Sequence, residues 1–203
     1  INHLYTMIII GITGGICSGK STVSTILSNR GAHVIDADKL GHQAYSKGTQ
    51  CLNDIVSAFG DSVLNEDGTI NRRVLGTIVF SDTSQMKRLN SIVWPRIKQL
   101  IQNEISTVDK SVIVVEAAVM IEAGWQDMVT ELWVVDVDRE LAVSRLMNRN
   151  NLSREESELR VDSQMSAEER KAMADRVIVN TGDRAALDDA VVSAYNDTLL
   201  KYE

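Results

Sequence analysis

The 203-residue sequence predicts an α/β protein with an open, mostly parallel five-stranded sheet and helices on both faces. Three observations carry this. Short apolar, β-branched runs recur at 7–12, 32–35, 112–115, 132–137 and 177–179. Stretches with helical spacing of apolar residues separate them, and such alternation specifies parallel strands joined by crossover helices. A composition of 44% hydrophobic and 24% charged residues, with 12 Gly and one Pro, suits a buried core and excludes collagen-like or broadly disordered chains.

The first run, Met7-Ile-Ile-Ile-Gly-Ile12, is followed at once by glycines and reads as a buried strand. Residues 21–28 carry Val23, Ile26 and Leu27 on one helical face, and Asn29-Arg30-Gly31 ends that helix. The second strand stops at Asp36, and alternation carried through Asp36-Ala37-Asp38 turns both carboxylates to one side. About seventy residues precede the third strand, too many for one crossover helix. Helical patterns at 40–46, 52–59, 73–80 and 86–106, with a turn at Asn65-Glu66-Asp67-Gly68, make this block an insertion covering one end of the sheet. Pro95 should kink or break the last of these helices. A charged stretch at 144–176 holds two or three short helices. Leu187, Val191, Ala194, Tyr195 and Leu199 then give the final helix its apolar face. The organisation is a single domain over 1–203, with a core of about 7–38, 111–143 and 176–203.

Several function classes fall away. The net charge is −7, from 21 basic and 28 acidic residues, with no dense Lys/Arg run, so a nucleic-acid partner is not expected. The longest apolar run is far short of the ~20 residues that span a bilayer. Cys17 and Cys51 form no Cys-x-x-Cys pair, which points to a reducing compartment. His3, His33 and His42 lack metal-ligand spacing. The opening 1–6 has no basic or apolar signal region; it reads as a processing remnant or as the start of a domain within a longer chain.

Gly14-Gly15-Ile16-Cys17-Ser18-Gly19-Lys20-Ser21 matches G-x-x-x-x-G-K-[ST] and lies between a predicted strand and a predicted helix, the context that motif requires. Its glycines let successive N–H groups turn inward around phosphate oxygens, and the helix N-terminus adds partial positive charge. Lys20 would reach the β/γ-phosphates of ATP and the Ser21 hydroxyl a Mg²⁺ ion, with Thr22 next in the helix. Thr13, just before the loop, either turns its hydroxyl to the phosphates or serves the strand alone. The fold is therefore expected to be of the P-loop NTPase type.

No guanine-reading Asn-Lys-x-Asp is present, which argues against a GTPase. Asn180-Thr-Gly182-Asp after the last strand reads equally as backbone laid against a nucleotide base or as an ordinary turn. Asp36 and Asp38 sit where strand ends face a ligand crevice. One could take a proton from an attacking hydroxyl, although Asp38 fits a helix cap as well. Arg145 and Arg149, four apart on one helix face, suit the charge that spreads over γ-phosphate oxygens; Arg154, Arg160 and Arg170 are weaker candidates. Arg72 and Arg73 suit an anionic substrate or a solvated face. Glu116, at the third strand's end, suits the ordering of Mg²⁺-bound water or a local acceptor role, and Trp94 reads as core more readily than as a ligand platform.

Taken in order, these segments resemble the dephospho-CoA kinase family from Met7 to the final helix. The matching stretches are 12–22, 34–40, 70–75 with Val79-Phe80, Trp94-Pro95, 115–125, Arg145 and Arg149 before Asn151-Leu-Ser, Gln164, and Asn180-x-Gly182. Residues 40–45, 122–125 and 164–166 look most like the kinase domain of animal bifunctional CoA synthase.

The resemblance implies ATP- and Mg²⁺-dependent phosphorylation of the ribose 3′-hydroxyl of dephospho-CoA. It implies Asp38 as catalytic base, Arg145 as lid arginine and Thr13 as a phosphate contact. It makes about 39–110 a CoA-binding insertion and about 144–175 a lid. On this reading the loop from Gly14 to Thr22, with Arg149, Asn180 and Gly182, holds the nucleotide. Asp36, Arg72, Arg73, Trp94, Pro95 and Glu116 serve the substrate. It also implies a cytoplasmic enzyme, or one associated with mitochondria and fused to an adenylyltransferase domain if the chain is part of a eukaryotic CoA synthase. Cys17 replaces a Gly common in the loop, which calls for a negative φ there. Ala118 and Trp94 also depart from bacterial members. The competing readings are a nucleoside or nucleotide kinase and a non-catalytic P-loop ATP-binding module.

Overall fold

The computed structural model describes residues 7–202, so the segment 1–6 discussed above lies outside the described residues. Among the described residues five strands, β1 (Ile8–Gly14), β2 (His33–Asp36), β3 (Val112–Glu116), β4 (Glu131–Asp136) and β5 (Arg176–Val179), pair in parallel in the order β2-β3-β1-β4-β5. Nine α-helices accompany them there: α1 (Lys20–Ser28), α2 (Ala37–Ala44), α3 (Gln50–Phe59), α4 (Arg72–Ser81), α5 (Thr83–Thr107), α6 (Arg139–Asn150), α7 (Arg154–Asp162), α8 (Ala167–Ala172) and α9 (Arg184–Tyr202).

The chain divides into two compact units, Ile1–Asp36 with Val108–Glu203, and Ala37–Thr107. In the first, the alternation of β1 turns Ile8, Ile10 and Ile12 to one face of the sheet. They join Val112, Val114, Trp133 and Val135 in a core with Val23, Ile26 and Leu27 of α1 and Leu187, Val191, Ala194 and Tyr195 of α9. Ile113, Val115 and Val134 are equally buried, as expected for central strands covered on both faces. Burying a residue of this size contributes about 1.5–3 kcal/mol.

One carboxylate is locked into this unit. Glu131, 3% exposed, accepts hydrogen bonds from Trp133 Nε1 (3.0 Å), Thr198 Oγ1 (2.8 Å) and Lys201 Nζ (2.8 Å), tying β4 to the end of α9. Burial pushes its carboxyl up, but these three donors outweigh it and hold it below the usual glutamate range.

In the second unit, Leu52, Ile55, Leu75, Val79, Val93, Ile97 and Ile101 are buried. Thr49 caps α3 through the Leu52 N–H, and Asn71 caps α4 through the Val74 N–H.

One expectation fails here, and another is narrowed. β2 ends at Asp36 and α2 starts at Ala37, so Asp38 is an exposed residue of a first helical turn and strand alternation does not govern where it points. An acid there is favoured by the helix dipole. Pro95 does not break α5, which runs 25 residues through it. Proline forfeits one backbone bond, and the buried residues Val93, Ile97 and Ile101 continue on either side of it.

Candidate active site

The loop between β1 and α1 is formed as its sequence requires. Gly19 has φ +100, and a Cβ on it would lie 2.4 Å from Asn180 Nδ2, so both the turn and the close approach demand glycine. Lys20 is the first residue of α1, and its Nζ donates to the carbonyls of Gly14 (2.9 Å) and Gly15 (3.1 Å), folding the ammonium over the loop. Ser21 is exposed at the start of the helix, and Thr22 follows half-buried.

Cys17 corrects the expectation of a negative φ. It is half-buried at φ 57, in the left-handed region, where an L-residue costs about 1–2 kcal/mol. The loop turn sets that conformation, and its carbonyl accepts from Arg145 Nη1 at 3.1 Å.

Asn180 is 5% exposed and is neither a bare turn residue nor a backbone contact alone. Its Nδ2 donates to the Ser18 carbonyl at 2.7 Å. Its Oδ1 accepts from Arg145 Nη2 (3.3 Å) and from the Gly182 N–H (3.1 Å). One amide thus joins the phosphate loop, α6 and the loop after β5.

Thr13 is fully buried in β1, its hydroxyl donating to the Ala118 carbonyl over a long 3.4 Å. Asp36 and Glu116 are register partners at the C-terminal ends of β2 and β3 and are half-buried, so their side chains share one face of the sheet.

The arginines are sorted by their partners. Arg145 reaches the loop, whereas Arg149, on the same helix, is exposed and donates to Asn150 Oδ1 at 2.9 Å. Arg139 and Arg154 are taken up by carboxylates, Arg139 by Asp162 at 2.7 Å and Arg154 by Glu140 and by Glu158 at 2.9 Å. Arg160 is exposed. Gln164, given no role from sequence, and Arg170, only a weaker candidate there, meet the loop directly. Gln164 Oε1 accepts the Ile16 N–H at 2.7 Å, and a Cβ on Gly15 would lie 2.9 Å from Arg170 Nη2. A cavity of about 310 Å³ lies beside them, walled by Gly15, Ile16, Val135, Gln164, Met165 and Arg170.

Asp38, Arg72, Arg73, Trp94 and Pro95 belong to the second unit. There Arg72 and Arg73 open α4 exposed, with the Arg72 guanidinium 6.0 Å from the Tyr45 ring centroid. Trp94 is half-buried rather than core.

A parallel sheet in this order, a glycine loop ending in Lys20-Ser21 at a helix N-terminus and arginines brought to that loop define a P-loop kinase. The sequence matches the dephospho-CoA kinase family over residues 8–186. It is 50% identical over 179 residues to a dephospho-CoA kinase of Geobacter sulfurreducens, covering 87% of this chain and 91% of that one. Among solved structures, a Thermus thermophilus protein superposes with TM-score 0.81 at 33% identity, covering 95% of this chain and 98% of that one. A dephospho-CoA kinase from Campylobacter jejuni superposes at 0.72 with 29% identity, covering 96% and 98%. The chain belongs to the dephospho-CoA kinase family. It is an ATP-using phosphotransferase.

Proposed function

We propose that this chain moves the γ-phosphoryl group of ATP to the ribose 3′-hydroxyl of dephospho-CoA, releasing coenzyme A and ADP. The observation that carries this is the formed phosphate loop, with Lys20 folded over it, in a chain of this family. Lys20 draws charge from the β/γ-phosphates, and Arg145, braced by Cys17 and Asn180, stabilises the charge that develops in transfer. The backbone of Gly14, Gly15, Ile16, Cys17, Ser18 and Gly19 cradles the phosphates. Thr13 supports the cradle from below, and Arg149, Asn180 and Gly182 border the nucleotide. Asp38 is read as the base that takes the 3′-hydroxyl proton, on its place in the sequence directly after β2 and on the family resemblance.

The Ser21 hydroxyl, and the same-face carboxylates Asp36 and Glu116 through bound water, would supply the hard oxygens that Mg²⁺ takes, an ion that keeps several of its waters. When bound, that ion neutralises phosphate charge. On this reading about 39–110 receives the CoA moiety, through Arg72, Arg73, Trp94 and Pro95, and about 144–175 is a lid. Two unpaired thiols support a cytoplasmic setting, and no helix among the described residues is long and apolar enough to cross a membrane. The finer likeness to animal CoA synthase rests on 40–45, 122–125 and 164–166 alone, and the relatives compared are bacterial.

The test is ADP release with dephospho-CoA, a panel of nucleosides and nucleotides, and no acceptor, alongside Lys20→Ala. Turnover should require dephospho-CoA and vanish in the variant. Preference for a nucleoside, or turnover unaffected by the acceptor, refutes the assignment.

A further inference from the structure

The stretch from Arg139 to Arg170 carries six arginines, and five of them are accounted for. Arg139 and Arg154 are held by carboxylates on their own helices and neighbours, Arg149 by Asn150, and Arg145 by Cys17 and Asn180, while Arg160 is exposed. Arg170 differs. It is half-buried, one Nη1 contact is to the Met165 carbonyl, and among the described residues no carboxylate lies within ion-pair distance of it. Glu122, Asp136 and the adjacent Glu169 act on it without pairing with it; Glu169 is bonded to Ser166, and Lys171 engages Asp136 at 3.6 Å. Burial, the largest influence, pushes the guanidinium below its ordinary value against the pull of these carboxylates, so the cation is kept partly dry. Its Nη2 faces Gly15 so closely that a methyl group there would lie 2.9 Å away. Gly15 is not among the glycines at positive φ, so the turn itself does not call for glycine there.

We propose that Arg170 is a catalytic residue that contacts the γ-phosphoryl group during transfer, with Gln164 as the positioning residue that docks its segment on the loop through the Ile16 N–H. This rests on the P-loop kinase reading above. In the step, the bond from γ-phosphorus to the β–γ bridging oxygen breaks and its electron pair leaves with ADP. The bond to the acceptor oxygen forms, and the acceptor's proton passes to the general base. The γ-phosphoryl oxygens carry the spreading charge, and a planar guanidinium fork meets two of them at once. Arg145 acts from the loop's side, its fork braced by Cys17 and Asn180, and Arg170 adds a second cation that meets the transferred group directly.

The experiment compares the full chain with Arg170→Ala, Arg170→Lys and Arg154→Ala. It reads kcat with dephospho-CoA, acceptor-free ATP hydrolysis, ADP affinity by calorimetry, and melting. Arg170→Ala should lose about 100-fold or more in kcat, the scale of a removed oxyanion donor, with ADP affinity within about threefold. Millimolar guanidinium should recover part of the loss, which a purely structural defect would not show. Arg154→Ala should stay within about twofold of the parent, as befits an exposed ion pair. A folded Arg170→Ala within about threefold of parent kcat overturns the proposal, and so does a loss that weaker ADP binding explains in full. Should Arg170→Ala fail to fold, Arg170→Lys is read in its place. A drop of about tenfold or more with unchanged ADP affinity then supports the role, and parent-like kcat overturns it. Because Arg170 acts on ATP's own phosphoryl group, the acceptor-free rate must fall as well. A parent inactive on dephospho-CoA but sensitive to Arg170 in hydrolysis overturns the substrate assignment and leaves this one standing.

Discussion

Removing the Asn180 side chain should damage stability and nucleotide binding together. Asn180→Ala deletes the donor to Ser18 O (2.7 Å) and the acceptor for Arg145 (3.3 Å) and Gly182 (3.1 Å), at a site 5% exposed. At about 1 kcal/mol net for each bond, the loss is about 3 kcal/mol. For a chain of this length each kcal/mol moves the melting temperature by about 2–4 °C, so a fall of roughly 6–12 °C is expected. If about half of that energy must be recovered by ordering the loop when nucleotide binds, ATP affinity drops about tenfold. Asn180→Asp matches the shape but replaces the donor facing Ser18 with a second acceptor, and should fall nearly as far. Gly19→Ala, whose methyl would lie 2.4 Å from Asn180 Nδ2, should cost less in an Asn180→Ala background than alone. Differential scanning calorimetry and ATP titration read all four variants. A melting shift under about 2 °C with unchanged ATP affinity in Asn180→Ala would refute the bracing role.

Cys17→Gly should raise stability by about 0.5–1 kcal/mol, since relief of a left-handed cysteine exceeds glycine's entropic cost; thermal melting decides, and a fall sinks the strain argument. Asp38→Asn should lower kcat by about 10²–10⁴-fold while ADP affinity holds, and near-parent kcat would remove Asp38 as the base. Glu131→Gln should be less stable than the parent at neutral pH. The folded carboxyl lies below its unfolded value, so its contribution is full above the unfolded value and is lost as pH falls through the folded one. Denaturant midpoints of the two proteins should therefore converge toward the acid end of the carboxylate range, and a gap that widens in acid contradicts this.

The sheet was legible because central parallel strands are buried on both faces and write themselves as unbroken apolar runs, as in Val112-Ile-Val-Val115. The phosphate loop was legible because its chemistry is local: eight successive residues supply the turn, the amides and the cation. The alternation carried through Asp38 fails for a local reason too, since nothing in Asp36-Ala37-Asp38 marks where extended backbone becomes helical. Cys17 was misjudged because the turn, not the residue, sets φ. Asn180, Gln164 and Arg170 could not be graded from sequence because their partners lie about 150 residues away. Arginines that look alike in a charged stretch differ only in which carboxylates fold next to them. The resemblance marks Gln164 and Asn180 as positions, and the charged stretch offers Arg170 only as one arginine among several, without giving any of them a partner.

The bond from Asn180 to Ser18 spans 162 residues. At about 5–20 residues per second of synthesis, roughly 10–30 s pass between the appearance of the phosphate loop and that of the side chain that seats it. β4 and β5, which also come late, complete the sheet edge on which that side chain stands. A nascent chain therefore carries its nucleotide loop unbraced over that interval, and competence for ATP should arrive abruptly as β5 and the loop after it dock. Ribosome-bound chains truncated just before Asn180 are the form in which the cell meets this protein with its loop present and its keystone missing.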